Sequence, residues 1–279
     1  MNAVPVSQAE LWNGSAGQAW IDGQELLDRL FRPFEELQAE AARSATRVLD
    51  VGCGTGATTL AAARRMGAKG RGTGIDISAP MIEVARARAA SANVAAKFIC
   101  ADAQDFAFEP ASFDLMISRF GVMFFEDPVR AFANLRRAAA PGAEIRFIAW
   151  RSPAENPFMT AAERAAAPLL PELPPRRPDA PGQFAFANRD RVQRIVEQSG
   201  WTGVDIRPLD VPCAMTLEDL ERYLTRLGPV GAALQQADEI TRAKVIDAVR
   251  AGFKPYVAGE EVRFVSACWM IVARAPEVS

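Results

Sequence analysis

The sequence predicts an α/β domain in which helices cover both faces of a mostly parallel β-sheet. Short apolar segments alternate along the chain with longer segments whose apolar residues recur at helical spacing. Three glycines at alternate positions follow the first apolar segment, and a carboxylate lies at the end of each of the first three such segments. The chain has 279 residues, of which 49% are apolar, and this is enough for a sizeable core in one large domain or two small ones.

The first 45 residues are predicted to form amphipathic helices. Six apolar residues recur there at the spacing of one helical face, namely Leu26, Leu27, Leu30, Phe31, Phe34 and Leu37. Pro33 lies inside this pattern and predicts a break between two helices, because proline lacks the N–H that an interior helical residue donates. A turn-rich segment at residues 12–17, which begins with Trp12, precedes these helices.

Strands and helices then alternate along the chain. Seven strands are predicted, at residues 47–51, 70–77, 96–101, 113–117, 144–150, 202–211 and 262–273. Ser78, Asp127 with Pro128, and Asn188 are typical of helix starts and place helices between the strands. This strand–helix alternation favours a parallel sheet with helices on both faces.

Two segments interrupt the alternation, and we predict that both cover the sheet. Residues 151–187 are rich in proline, and residues 212–260 carry helical patterns. The predicted organisation is a helical lid at 1–45, a cofactor-binding core at 46–150, a proline-rich cap at 151–187, continued core at 188–211, a helical cap at 212–260 and a final core strand at 261–279.

Composition and charge argue against several function classes. A net charge of −2 provides no positive field for nucleic acid or an anionic membrane, and no stretch approaches the length of a membrane helix. The four cysteines are too widely spaced to suggest a metal site, and no secretory leader is recognisable, so we expect a cytoplasmic protein without a metal. The chain has no histidine, which excludes a histidine base.

The strongest local signal is the glycine segment that follows the first predicted strand. Gly52, Gly54 and Gly56 allow a tight turn and a close approach of a ligand to the backbone at the start of a helix. With Ala57, the segment also fits the dinucleotide-binding pattern. Asp76, 20 residues beyond Gly56, could hold a ribose diol of either NAD or S-adenosylmethionine.

The positions of two other carboxylates favour S-adenosylmethionine over NAD. Asp50 lies just before the first glycine, where it suits the ammonium and sulfonium of S-adenosylmethionine and would repel a pyrophosphate. Asp102 follows the third predicted strand, where it can accept a hydrogen bond from an adenine amine. Together with Asp76, these residues lie at the sheet edge where open α/β folds bind ligands.

Five short segments carry a family resemblance, namely Asp50–Gly56, Gly74–Ser78, Ala101–Ala103, Phe113–Leu115 and Ala140–Gly142. They resemble the class I S-adenosylmethionine-dependent methyltransferases, and within that class the ubiquinone/menaquinone-biosynthesis type with its small-molecule relatives. The resemblance implies a Rossmann-like, seven-stranded, mostly parallel sheet whose last strand is antiparallel. It also implies S-adenosylmethionine as the cofactor, released as S-adenosylhomocysteine.

The resemblance also implies which residues form the site. The implied cofactor-binding residues are Trp12, Trp20, Asp50, Gly52, Cys53, Gly54, Thr55, Gly56, Asp76, Ile77, Met81, Asp102, Ala103, Gln104, Ser118 and Arg119. Residues 118–120 would line the methyl-transfer site, and residues 12–14 with Trp20 would fold over the cofactor. The polar and aromatic candidates for catalysis are Arg119, Phe120 and Asn156.

The expected acceptor is a small molecule with a phenol or quinol, amine, thiol or stabilised carbon as its nucleophile. The segment after the fourth strand lacks the proline pair of amino-directed nucleic-acid methyltransferases. The expected walls of an apolar acceptor pocket are Trp150, Phe158, Met159, Phe184 and Phe186. A base other than a carboxylate would have to be Tyr223 or Tyr256. The open alternatives are an NAD-dependent oxidoreductase, a non-catalytic S-adenosylmethionine-binding protein, and an enzyme that uses the sulfonium for another reaction.

Overall fold

The computed structural model describes residues 7–171, 173, 176 and 179–277. Its strands are β1 (Arg47–Val51), β2 (Arg71–Asp76), β3 (Ala96–Cys100), β4 (Phe113–Arg119), β5 (Ala139–Trp150), β6 (Thr202–Thr216), β7 (Val257–Ala258) and β8 (Glu261–Arg274). Its α-helices are α1 (Gln8–Asn13), α2 (Ser15–Asp22), α3 (Gln24–Ala41), α4 (Ala57–Met66), α5 (Ala79–Ser91), α6 (Pro128–Ala138), α7 (Ala161–Ala166), α8 (Arg189–Gln198), α9 (Leu217–Arg226), α10 (Gly228–Leu234) and α11 (Glu239–Phe253).

The strands form one sheet with the order β3-β2-β1-β4-β5-β8-β6. Strands β1 to β5 pair in parallel, and β8 runs antiparallel to both of its long neighbours, β5 and β6. The predicted α/β architecture with an antiparallel last strand is therefore confirmed. The two-residue strand β7 pairs with β8, so the described sheet has eight strands where seven were predicted.

Strand β6 continues beyond its predicted end at Val211. Residues 212–216 remain paired with β8, and the helical cap follows Thr216 rather than residue 211. Val211, Cys213 and Met215 are buried on one face of the strand, while the residues between and after them are exposed on the other. Pro212 does not interrupt pairing because β6 lies at the edge of the sheet, where one side of the strand needs no N–H donor.

Helix α3 runs without a break from Gln24 to Ala41, so the predicted interruption at Pro33 is wrong. Phe31 and Phe34 lie on either side of the proline and both pack into the main core. We infer that this shared packing outweighs the roughly 3 kcal/mol by which proline disfavours a helix interior. Leu37, expected on the same face, is exposed.

Candidate active site

A cavity of about 930 Å³ lies at the carboxyl ends of the parallel strands. One side is formed by the loops that follow β1 to β4, through Gly52, Gly54, Asp76, Ile77, Met81, Asp102, Ala103, Arg119 and Phe120. Residues of α2, α3 and α9 to α11 form the opposite side. The volume lies near the upper end of the range for ligand pockets, and a nucleoside-sized cofactor and a small acceptor can therefore share it.

The glycine loop is held against the end of β2. The backbone N–H groups of Gly52 and Cys53 donate to the carbonyl of Ile75 at 2.9 and 3.1 Å. Gly52, Gly54 and Gly56 all have left-handed φ angles of +68°, +53° and +86°. Side chains disfavour that region, so the three glycines are required by the backbone path of the loop.

Gly121 fixes the depth of the same loop. A Cβ atom at this position would lie 2.6 Å from the carbonyl oxygen of Val51 and 2.7 Å from the Cα atom of Gly52. Only glycine therefore fits at position 121, where the two backbone segments cross.

Substituting Gly121 by alanine should displace the glycine loop. We expect S-adenosylhomocysteine affinity to fall by at least about tenfold and the free energy of unfolding to fall by about 1–3 kcal/mol, as overpacking typically does. Calorimetric titration and urea unfolding measure the two effects. Wild-type affinity in the variant would show that the crossing does not set the loop position.

Asp76 and Asp102 both line the cavity, at the ends of β2 and β3. The carboxylate of Asp76 accepts hydrogen bonds from the N–H groups of Gly54 at 2.8 Å and Ser78 at 2.9 Å. Burial raises the pKa of Asp76, and these hydrogen bonds lower it. Asp102 accepts from the N–H of Gln104 at 2.8 Å. Both carboxylates are thus fixed in place beside the cavity.

Asp50 does not line the cavity, in contrast to the contact expected from its position beside the loop. Its side chain is 1% exposed and accepts a hydrogen bond from the Thr59 hydroxyl at 2.7 Å. Its other oxygen has no partner among the residues that the structure describes. Burial raises the pKa of Asp50 to about 6. The carboxylate therefore places its charge behind the loop rather than in contact with the cavity.

Replacing Asp50 by asparagine should stabilise the fold at neutral pH. The folded-state pKa of Asp50, about 6, exceeds the ordinary value of 3.8. The stability that comes from keeping this carboxyl protonated is therefore fully present below pH 3.8 and is lost as the pH rises through 6. At a pH of about 7.5 the free energy of unfolding of the variant should exceed that of the wild type by up to about 3 kcal/mol, and this difference should disappear near pH 4. Urea unfolding at both pH values measures it. A difference in the free energy of unfolding that does not vary with pH would contradict the raised pKa assigned to Asp50.

Three residues of the glycine segment that the resemblance places at the cofactor do not line the cavity. Cys53 is buried, and both the carbonyl and the hydroxyl of Thr55 accept hydrogen bonds from Arg88. A Cβ atom on Gly56 would lie 3.1 Å from the Phe98 ring. Gly52 and Gly54 therefore face the cavity, and the other three residues support the loop from behind.

Gln104 and Ser118 also lie outside the cavity lining. The Gln104 side chain accepts a hydrogen bond from the N–H of Asp127 at 2.8 Å and thereby holds the start of α6. The Ser118 hydroxyl donates to the carbonyl of Val51 at 2.7 Å and links β4 to β1. Their positions next to the site are structural in this arrangement.

Arg119, the last residue of β4, and Phe120, which follows it, line the cavity. The Arg119 guanidinium lies 5.6 Å from the centre of the Phe31 ring, and its buried Nη1 atom has no partner within the described residues. Burial lowers the pKa of Arg119, and the neighbouring carboxylate of Glu35 raises it. Phe120 adopts φ +67° and stacks on Trp150 at 4.5 Å. Arg119 is therefore a buried cation with an open donor beside the cavity.

Asn156, proposed above as a catalytic candidate, does not line the cavity. Its amide nitrogen donates to the carbonyl of Ala267 at 2.8 Å, and its oxygen accepts from the N–H of the same residue at 2.9 Å. A side-chain amide pairs with a backbone peptide in this way because both carry one donor and one acceptor. Asn156 therefore attaches the proline-rich cap to β8 through two hydrogen bonds.

Helices α1 and α2 cover the cavity and are fastened to the β2–α5 corner. Trp12 and Trp20 line the cavity, as the resemblance implied for a lid. The Asn13 side chain donates to the carbonyl of Ile77 at 3.1 Å and accepts from the N–H of Ala79 at 2.9 Å. The lid therefore contacts the same corner that carries Asp76.

Residues from α9 to α11 complete the cavity, and among them only Tyr223 was considered from the sequence, as a possible base. They include Tyr223, Leu227, Leu234, Arg242 and Ile246. Their amphipathic helices showed which positions are apolar but not that these faces meet the sheet edge. Burial raises the pKa of Tyr223 to about 12, so its hydroxyl stays neutral at physiological pH and is a poor base.

Two of the five predicted pocket walls, Trp150 and Met159, line the cavity. Phe158 instead stacks on Phe264 at 3.5 Å. Phe184 lies on the Arg176 guanidinium at 4.8 Å, and Phe186 packs into the core. These three positions hold the caps on the sheet.

Within the residues that the structure describes, no helix is long and apolar enough to cross a bilayer, and no three metal-binding side chains form a group that could hold a metal ion.

Comparisons with known proteins agree with this site. Residues 48–142 match the family described as "Methyltransferase domain". The demethylmenaquinone methyltransferase of Staphylococcus aureus is 29% identical over 174 residues, covering 59% of this chain and 71% of that protein. The YcgJ protein of Bacillus subtilis has a TM-score of 0.59 and 18% identity, covering 88% of this chain and 100% of its own.

A second solved structure contains the demethylated cofactor. Phosphoethanolamine N-methyltransferase 2 of Haemonchus contortus, bound to S-adenosylhomocysteine, has a TM-score of 0.57 and 18% identity. The match covers 98% of this chain and 61% of that chain. At this identity both structural matches show a common fold.

The family match, the sheet order and the glycine loop agree with one another. Within its class, the chain resembles the ubiquinone/menaquinone-biosynthesis type. The chain carries a methyltransferase domain at residues 48–142, uses S-adenosylmethionine as its cofactor, and resembles the class I S-adenosylmethionine-dependent methyltransferases.

Proposed function

We propose that this enzyme transfers the methyl group to a small, largely apolar acceptor held between the cofactor and the helical cap. The observation that carries the proposal is the single cavity that runs from the loop carboxylates to α9, α10 and α11. The side formed by the lid and the caps is largely apolar and aromatic, with Phe31 from the lid and Met159, Leu234 and Ile246 from the caps. Such a wall suits a ring-bearing small molecule and offers no extended basic surface for nucleic acid.

The residues present fit S-adenosylmethionine. Gly52 and Gly54 would approach its methionine part, Asp76 would hold the ribose hydroxyls, and Asp102 would accept a hydrogen bond from the adenine amine. The open Nη1 atom of Arg119 fits the cofactor carboxylate, which a guanidinium binds well. Asp50 supplies negative charge on the side where the ammonium would lie.

The cofactor supplies a methyl group that is already activated by the sulfonium. The chain therefore has to position the nucleophile in line and exclude water from the reacting atoms. Trp12 and Trp20 would close over the site, and the stacked Phe120 and Trp150 would form a flat wall beside it. We propose that no metal is needed, because the displaced thioether leaves without assistance.

The name of the Staphylococcus aureus relative indicates that it methylates demethylmenaquinone, which supports a phenol, quinol or conjugated carbon as the acceptor. Amines and thiols are also compatible with a site that needs no strong base. All four cysteines are free, which supports a reducing cytoplasm as the place of the reaction. The lid, core and cap limits proposed from sequence suit these roles, with the second cap following Thr216.

Calorimetric titration with S-adenosylmethionine, S-adenosylhomocysteine and NAD tests the cofactor part of the proposal. We expect micromolar binding of the first two and no binding of NAD. A radiolabelled methyl-transfer screen over naphthols, quinols, amines and thiols tests the acceptor part. Cofactor binding without transfer to any of these compounds would favour a non-catalytic binder, and binding of NAD alone would contradict the proposal.

A further inference from the structure

The glycine loop is held from two directions, and the neighbouring strand accounts for one of them. The N–H groups of residues 52–54 donate to the carbonyl of Ile75 or to the carboxylate of Asp76, at the end of β2. Thr55, in the later part of the loop, is held instead by Arg88 of α5. The Nη1 atom of Arg88 donates to the carbonyl of Thr55 at 2.9 Å and to its hydroxyl at 3.1 Å. One guanidinium nitrogen therefore fixes both the backbone and the side chain of this residue.

The other end of the Arg88 guanidinium is held by a carboxylate of the N-terminal helix α3. Its Nη2 atom donates to the carboxylate of Asp28 at 2.6 Å. The two side chains are only 25% and 24% exposed, so solvent screens this ion pair less than it screens a surface pair. Because the guanidinium is planar and rigid, fixing one of its nitrogens also fixes the others. Asp28 therefore determines where Arg88 presents its Nη1 atom to the loop.

Helix α3 also forms part of the cavity wall. Leu27 and Phe31 line the cavity, and in the helix they lie next to Asp28 and almost one turn beyond it. The contacts from Asp28 through Arg88 to Thr55 thus connect the wall of the cavity with the loop that faces it. All three of these residues lie outside the cavity lining. Any effect that they have on ligand binding must therefore pass through the position of the loop.

We propose that Arg88 is a positioning residue that keeps the glycine loop in its cofactor-binding position, and that Asp28 acts through Arg88. This inference rests on the proposed function, in which Gly52 and Gly54 approach the methionine part of the cofactor. Without the guanidinium, the carbonyl of Thr55 loses its charged donor, and the loop is held mainly by its bonds to β2. The loop then moves more in the free protein, and cofactor binding is weaker because it has to order the loop.

Amide hydrogen exchange of the ligand-free protein tests the loop directly. Arg88→Met keeps most of the aliphatic stem and removes the donors, so residues 52–56 should exchange at least about threefold faster. Arg86→Met is the matched control, because Arg86 lies on the same helix and donates to the carbonyl of Phe98 in β3 at 3.0 Å. This control should leave exchange in the loop unchanged. Unchanged exchange in the Arg88 variant, or an equal increase in both variants, would overturn the inference.

Calorimetric titration with S-adenosylhomocysteine measures the consequence for cofactor binding. Arg88→Met should weaken binding by about tenfold and Arg88→Lys by only about threefold, because lysine retains the charge and a donor. Arg86→Met should bind as the wild type does. Equal weakening by lysine and methionine would contradict the donor role of the guanidinium, and wild-type affinity in both Arg88 variants would contradict its role in cofactor binding.

A double variant tests whether Asp28 acts through Arg88. Asp28→Asn alone should weaken S-adenosylhomocysteine binding by about threefold, since it removes the charge that orients the guanidinium. In the Arg88→Met background the same substitution should have no further effect, because residues in one network are not additive. Independent losses that multiply to about thirtyfold would contradict the link between the two residues. Failure of the proposed function is distinguishable, since the wild type would then bind no S-adenosylhomocysteine while loop exchange would still decide the role of Arg88.

Discussion

Replacing Arg119 by methionine should weaken S-adenosylhomocysteine binding by about 100-fold, because it would leave the cofactor carboxylate without its buried cation. 5′-Methylthioadenosine contains the nucleoside and the sulfur but no carboxylate, and its affinity should change little. Calorimetric titration of both ligands therefore separates loss of an ion pair from damage to the site. The reason for expecting a large effect is that Nη1 is buried without a partner among the described residues.

Arg176→Met is the matched control for this prediction. Arg176 also lines the cavity, but its guanidinium pairs with Glu163. We expect its loss to leave S-adenosylhomocysteine affinity unchanged. Equal weakening of both ligands by the Arg119 variant would mean that Arg119 supports the loop rather than the carboxylate. Unchanged affinity for both would exclude it from the cofactor site.

Replacing Asp76 by alanine should weaken S-adenosylhomocysteine binding by more than about tenfold, since hydrogen bonds to a charged group are among the stronger ones. In contrast to the Arg119 variant, it should weaken 5′-methylthioadenosine binding by a similar factor, because both ligands carry the ribose. Asp76 also holds the N–H groups of Gly54 and Ser78, so part of the loss will come through the loop.

Asp105→Ala serves as the control, because Asp105 pairs with Arg130 outside the cavity lining. Urea unfolding of each variant shows whether the fold is intact. If the Asp76 variant bound both ligands as the wild type does, the ribose assignment would be contradicted. Selective loss of S-adenosylhomocysteine alone would place Asp76 at the methionine end instead.

The sequence predicted the cofactor half of the site because the relevant residues are tied to local backbone structure. Gly52 and Gly54 follow β1, while Asp76 and Asp102 lie at or just beyond the ends of β2 and β3. The carboxyl ends of parallel strands meet at one edge, so residues far apart in sequence come together there. The same reasoning could not distinguish loop positions that face the cavity from those, such as Cys53, that face away.

Sequence reasoning was weaker where a polar side chain could contact either a ligand or the protein backbone. Asn156 follows an aromatic strand end and carries a polar amide, which is why it was a catalytic candidate. Both ends of that amide are hydrogen-bonded to Ala267, which lies in β8, 111 residues further along the chain.

Pro33 was predicted to break a helix, but packing on both sides of it keeps α3 continuous.

The sequence by itself determined the sheet class, the glycine loop and the carboxylates at the strand ends, because strand periodicity and glycine backbone preferences act over a few residues. Only the tertiary structure decided that α9 to α11 close over the sheet edge and that Asp50 lies behind the loop. Those features depend on which buried surfaces meet between distant segments, and amphipathic patterns specify that a face is buried without specifying its partner.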